Sequence, residues 1–205
     1  MTNDFFKLWE DNEKLKEIEK RAKKEHIPII NRDTANFIKS VLLFNNPKLI
    51  LEVGTAIGYS TLWLAEYSDP NCEIVTIERD EVRLIEAKEN VKDFGYSKKV
   101  NFKYGDALEI LPYLRRKFDL IFIDAAKGQY LNLFKMAEDI INDNGIILCD
   151  NVLYKGLVND QGKVEHKMRT IVVNMRKFLI YLKNNQKFDS RLFDIDDGLT
   201  ISIRR

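Results

Sequence analysis

The chain has 205 residues, with 33 Lys and Arg against 32 Asp and Glu, a net charge of +1. That length, 45% hydrophobic residues and 32% charged ones describe one folded domain with a sizeable core and exclude a disordered chain. Two cysteines and two histidines exclude a disulfide framework, a CxxC site and a poly-histidine metal site, so any metal must be a hard, oxygen-bound cation.

No apolar run approaches the ~20 residues of a membrane span, and Met1-Thr2-Asn3-Asp4 lacks the basic start of a signal peptide. With Cys72 and Cys149 unpaired, the expectation is a cytoplasmic protein with no membrane partner. Residues 3–25 read as a helix, because Phe5, Leu8, Trp9, Leu15, Ile18 and Ala22 recur near a 3.6-residue period. Pro28 ends it, and Asp33 or Thr34 is the expected cap of a second helix carrying Phe37, Ile38, Val41 and Leu42.

Short apolar runs then alternate with helix-like segments: 49–53, 74–78, 100–104, 118–124 and 145–150. Such alternation predicts βαβ units and a parallel sheet covered on both faces. Residues 163–184 read as one long helix. Phe188–Ile195 and Leu199–Ile203, separated by Asp196-Asp197-Gly198, predict a closing antiparallel hairpin with a tight Asp-Gly turn. The expected organisation is one domain over 1–205, with a helical extension at 1–45 and a core at 46–205.

Ligands of such sheets bind outside the carboxyl ends of the strands. The loop after the first strand is Glu52-Val53-Gly54-Thr55-Ala56-Ile57-Gly58-Tyr59-Ser60, and Glu78 ends the next strand, placed to accept both ribose hydroxyls of an adenosine. A dinucleotide loop wants glycine where Glu52 stands. A carboxylate repels a pyrophosphate but suits a cationic ligand such as S-adenosylmethionine. The bland alternative is a plain turn with structural glycines. Gly105-Asp106-Ala107 suits an adenine edge, with Asp106 as a helix N-cap the alternative.

Asp124 ends the fourth run and Asp150-Asn151 the fifth. Two carboxylates and an amide on neighbouring strands suit Mg²⁺. Lys127, three residues after Asp124, is then a base whose pKa a nearby cation and burial lower. Taken singly, Asp124 reads as a cap, Asp150-Asn151 as a turn and Lys127 as a solvated residue.

With these residues together, the chain resembles the class I S-adenosylmethionine- and Mg²⁺-dependent O-methyltransferases of the catechol and caffeoyl-CoA type. The carrying motifs are Glu52-Val-Gly-Thr-x-x-Gly-Tyr-Ser60, Ile123-Asp-Ala-Ala-Lys127 and Cys149-Asp-Asn-Val152. The resemblance implies a Rossmann-like α/β fold with a mostly parallel seven-stranded sheet, helices on both faces, a C-terminal antiparallel hairpin and extra N-terminal helices. It implies cofactor contacts from Glu52, Val53, Gly54, Tyr59, Ser60, Glu78, Asp106, Ala107 and Asp124. It makes Asp124, Asp150 and Asn151 the metal ligands, Lys127 the catalytic base, and the assembly a homodimer. Trp9 and Trp63 read as packing residues, with a homodimer seam of Phe5, Phe6 and Trp9 the further reading.

Within that family the chain looks most like the bacterial tRNA 5-hydroxyuridine branch, on His26-Ile-Pro-Ile29, Asp150-Asn-Val-Leu-Tyr-Lys-Gly-Leu-Val158 and Asp197-Gly-Leu-Thr-Ile-Ser202. That branch methylates the 5-hydroxyl of a wobble uridine. The alternative is a small catechol-like or phenylpropanoyl-CoA acceptor. Residues 155–187 carry eight Lys and Arg against Asp160 and Glu165, a patch suited to tRNA phosphates through Lys155, Arg169 and Arg176. A solvated helix face is the alternative. Tyr130 and Tyr154 are candidate stacking surfaces for a base or catechol ring, with packing the alternative.

Overall fold

A computed structural model describes residues 12–160 and 164–205. Phe5, Phe6, Leu8, Trp9 and Lys163 lie outside the described residues. In chain order the elements are α1 (Glu13–Lys24), α2 (Arg32–Asn45), β1 (Leu49–Val53), α3 (Tyr59–Tyr67), β2 (Glu73–Glu78), α4 (Glu81–Asp93) and β3 (Val100–Tyr104). They continue with α5 (Ala107–Ile110), β4 (Phe118–Ile123), α6 (Tyr130–Ile140), β5 (Ile141–Cys149), α7 (His166–Asn184), β6 (Phe188–Phe193) and β7 (Leu199–Arg204).

The strands form one seven-stranded sheet in the order β3-β2-β1-β4-β5-β7-β6. β1 to β5 run parallel, and β7 lies antiparallel between β5 and β6. This is the Rossmann-like arrangement, with the strand order reversing at β1.

Successive side chains of a strand point to opposite faces, so strands buried on both sides read as continuous apolar runs. Ile50, Ile74, Leu120, Phe122 and Leu148 face a core closed by α1, α2 and α3. Their neighbours Leu51, Val75, Ile121, Ile123 and Ile147 face a second core under α6 and α7. Helix α3 is buried at every position from Tyr59 to Ala65, which explains its lack of a polar stripe.

Three boundaries differ from expectation. Asn31, not Asp33 or Thr34, caps α2, its side chain accepting from the Thr34 N–H at 2.8 Å. Strand β5 begins at Ile141, and its register with β4 shifts between Phe118 and Leu120 before Gly145. The hairpin does not turn on a two-residue Asp-Gly: Phe193 pairs with Leu199, so five residues connect the strands.

The reason for the longer turn is a second duty. The Asp197 carboxylate accepts the N–H groups of Lys155 and Gly156, its carbonyl accepts from Leu153, and Gly198 O accepts from Val152. The connection thereby clamps the loop after β5, in which Asn151, Tyr154 and Lys155 all have positive φ. Gly198 has φ +84°, and an added Cβ would sit 2.5 Å from Leu153 Cγ.

Gly198→Ala is therefore expected to destabilise the fold by about 1–3 kcal/mol through strain and overpacking. A urea denaturation midpoint equal to that of the parent protein would show that the clamp does not depend on this close contact.

Candidate active site

The parallel ladders run on for one residue past their strands. The Gly54 N–H donates to Ile77 O, Gly105 to Glu78 O, Asp124 to Val53 O and Asp150 to Ile123 O, at 2.9–3.1 Å. These four chain segments therefore leave the sheet at one level, around the point where the strand order reverses. A cavity of about 420 Å³ opens there.

Its wall holds Val53, Gly54, Tyr59, Ser60, Glu78, Asp106, Ala107, Asp124 and Lys127, all named from the sequence. Gly54 has φ +102°, and an added Cβ would meet Asp124 O at 2.0 Å. Only glycine lets β1 and β4 leave the sheet this close together. Glu78 is almost fully buried, with Oε2 accepting from Ala56 N–H and Oε1 from those of Arg79 and Asp80. Those bonds fix the carboxylate and leave lone pairs for ribose hydroxyls. Asp106 fulfils both readings: it caps α5 through the Leu108 N–H at 2.8 Å and lines the cavity.

Glu52 is not on the cavity wall. It is fully buried behind the loop, where Oε2 accepts from the hydroxyls of Thr61 and Thr76 and Oε1 has no partner among the described residues. Burial pushes its carboxyl up to about 7, against hydrogen bonds from Ser60, Thr61 and Thr76 that pull the other way. A strand position alternates between faces, and at Glu52 the alternation turns the side chain into the fold.

At the neighbouring strand end, Lys127 Nζ donates to Asp124 Oδ1 at 2.7 Å and to Tyr130 Oη at 3.1 Å. Asp150 is fully buried; Oδ1 accepts from the Asn151 N–H at 2.8 Å, and Oδ2 has no partner among the described residues. Desolvation first, then the charge of Asp124, pushes its carboxyl up to about 7. Neither Asp150 nor Asn151 lines the cavity. Among the described residues, no three His, Cys, Asp or Glu side chains gather as a metal site. Asp124 and Asp150 follow neighbouring strands, and the unmet buried oxygen of Asp150 is of the hard type that suits a divalent cation.

The aromatic and basic expectations change most. Tyr130 is fully buried, its ring set edge-on against Phe178 at 5.7 Å, so it offers no face to a substrate. Burial and nearby carboxylates raise its phenol well above the usual range. Tyr154 is half-buried against the core beneath α7, and Lys155 and Arg169 are exposed, all three off the cavity wall. Arg176 is spent on the fold: Nε donates to Val158 O at 3.0 Å, and one terminal nitrogen donates to the carbonyls of Leu157 and Asp160.

Pro28, Ile29 and Ile30 complete the wall from the segment before α2, and Arg79, Arg83 and Gln129 join it. The Thr34 hydroxyl reaches to 3.5 Å of Asp150 Oδ1. Pro28 and Ile29 belong to a stretch singled out in the sequence only as a branch motif; the approach of α2 brings them to the wall, while Arg79, Arg83 and Gln129 follow the strand ends that form it.

The O-methyltransferase family profile matches residues 7–205, and the chain belongs to that family. It is a S-adenosylmethionine-dependent O-methyltransferase of the caffeoyl-CoA and catechol type. Catechol O-methyltransferase of Niastella koreensis is 30% identical over 183 residues, covering 85% of this chain and 81% of that protein. A Staphylococcus aureus structure, solved as a candidate caffeoyl-CoA O-methyltransferase, has a TM-score of 0.91 and 32% identity, over 98% of this chain and 96% of that one. A Podospora anserina methyltransferase bound to S-adenosylhomocysteine has a TM-score of 0.78 and 30% identity, over 86% and 80%.

The Glu52 carboxyl gives the site a pH signature. Folded, it holds its proton up to about pH 7; unfolded, it ionises near the ordinary glutamate value of 4.5. The unfolded chain then binds fewer protons between those values, so stability falls as pH rises through that window. Glu52→Gln cannot ionise, so between pH 5 and pH 8 it is expected to escape a loss on the order of a few kcal/mol that the parent protein undergoes. Asp150 titrates in both proteins and cancels in the comparison. Parallel stability–pH curves in urea would remove Glu52 as the titrating group.

Proposed function

We propose that this chain methylates one oxygen of a small acceptor carrying two vicinal oxygens, a catechol or a catechol-bearing acyl-CoA. The observation that carries the reading is Lys127 on the cavity wall, bonded to Asp124, with the unmet carboxylate oxygen of Asp150 at the adjoining strand end. The cofactor loop and Glu78 hold the adenosine end of S-adenosylmethionine. Asp124 lines the same cavity, bonded to Lys127.

A divalent cation held by Asp124, Asp150 and Asn151, when bound, supplies the positive charge that gathers and acidifies vicinal oxygens. Lys127, as the free amine, takes the acceptor's hydroxyl proton. The oxygen–carbon bond forms as the sulfur–methyl bond breaks, and its electron pair stays on sulfur, leaving S-adenosylhomocysteine. The cavity wall contributes by holding oxygen, methyl and sulfur in line.

A second reading, methylation of 5-hydroxyuridine in tRNA, is favoured by the exposed Lys155, Lys167, Arg169, Lys177 and Lys183. In that base a hydroxyl lies beside a carbonyl and offers the same oxygen pair. The loss of Arg176 to backbone carbonyls weakens this patch.

Purified protein with labelled S-adenosylmethionine and Mg²⁺ is expected to label catechols. Label entering tRNA from hydroxylating cells, and not catechols, would replace the first reading with the second. Excess EDTA is expected to abolish transfer and Mg²⁺ to restore it; full activity in EDTA would remove the cation. Lys127→Ala is expected to lower kcat roughly 10²–10⁴-fold with cofactor affinity retained.

A further inference from the structure

We propose that Tyr130 is the positioning residue of Lys127, setting the direction in which its nitrogen faces the acceptor. The inference rests on Lys127 being the base.

A phenol has one proton to donate. Tyr130 Oη lies 2.8 Å from Asp150 O and 3.5 Å from Ile123 O. Both are carbonyl oxygens and can only accept, so the shorter contact takes the proton. Toward Lys127 Nζ, 3.1 Å away, Oη is left as an acceptor. The same nitrogen donates to Asp124 Oδ1 at 2.7 Å.

The nitrogen is tetrahedral. Its own side chain takes one direction, Asp124 a second and Tyr130 a third, leaving one. Lys127 and Asp124 line the cavity and Tyr130 does not, so the remaining direction belongs to the cavity side. Without Tyr130, a flexible four-carbon stem with one anchor swings about the Asp124 bond. With it, the reactive direction is fixed from a residue that touches no substrate.

The anchor is itself rigid. Tyr130 opens α6, is fully buried, and packs edge-on against Phe178 of α7. Its hydroxyl thus ties Lys127 to the end of β5 through the carbonyl of Asp150.

Tyr130→Phe keeps the ring and removes only Oη. It is expected to lower kcat roughly 10- to 100-fold, as misplacement of a reacting group does. The acceptor KM and the S-adenosylmethionine Kd are expected to stay within about twofold, since no binding contact is lost. In a Lys127→Ala background, adding Tyr130→Phe is expected to cost nothing more, because Tyr130 acts only through that nitrogen. Phe178→Leu loosens the ring's packing but keeps Oη, and is expected to lower thermal stability while leaving kcat within about twofold.

An unchanged kcat in Tyr130→Phe overturns the proposal, as does an equal loss in the Lys127→Ala background or a loss in Phe178→Leu as large as in Tyr130→Phe. If Tyr130→Phe fails to fold, Phe178→Leu still decides whether packing alone controls the rate. A fully active Lys127→Ala overturns the base reading and this proposal together. An impaired Lys127→Ala beside a normal Tyr130→Phe overturns the proposal alone.

Discussion

The site depends on parallel ladders that do not stop where the strands do. One more hydrogen bond at each carboxyl end, Asp124 N–H to Val53 O and Asp150 N–H to Ile123 O, sets the chain exits side by side. The sheet then has no freedom to spread those exits apart, and glycine at position 54 is the steric price of that closeness. The cofactor loop and the acidic strand ends belong to one backbone arrangement rather than to two adjoining sites.

That arrangement gathers acidic side chains where water is scarce. Glu52 and Asp150 are wholly buried, and each leaves one carboxylate oxygen without a partner among the described residues. Removing a carboxylate from water costs several kcal/mol, which incomplete hydrogen bonding does not return. Threonine hydroxyls relieve Glu52, and the Asn151 N–H partly relieves Asp150. The remainder is relieved by protonation, which burial favours in both carboxyls up to about pH 7. Function and instability share a cause here.

The features legible in the sequence are those with a local signature. Short continuous apolar runs marked the strands, glycines 54 and 58 marked the loop, and acidic residues at run ends marked the cavity edge. Asn31 had a readable signal too, since asparagine is among the preferred caps. What escaped was everything decided by packing between distant segments. Tyr130 looked like a ring beside the site, but α7 closes over it. Arg176 looked like a phosphate ligand, but the loop after β5 needs its carbonyls satisfied. Glu52 has the right charge beside the loop, yet strand alternation turns it inward. Asp197-Gly198 carried a hairpin signature, and its commitment to residues 152–156 lengthened the turn.

The insertion of β7 between β5 and β6 gives the molecule a built-in sequence of assembly. Every residue of the cavity wall, from Pro28 to Leu133, lies in the chain ahead of the strand that covers β5. Pairing of residues 146–149 with 200–203 is a long-range closure, and such contacts form slowly. The clamp from Asp197 onto the loop bearing Asn151 waits on that closure. During synthesis, a nascent chain therefore carries the whole cavity wall before it carries the strand that fastens the loop bearing Asn151, and wall and fastening mature at different times.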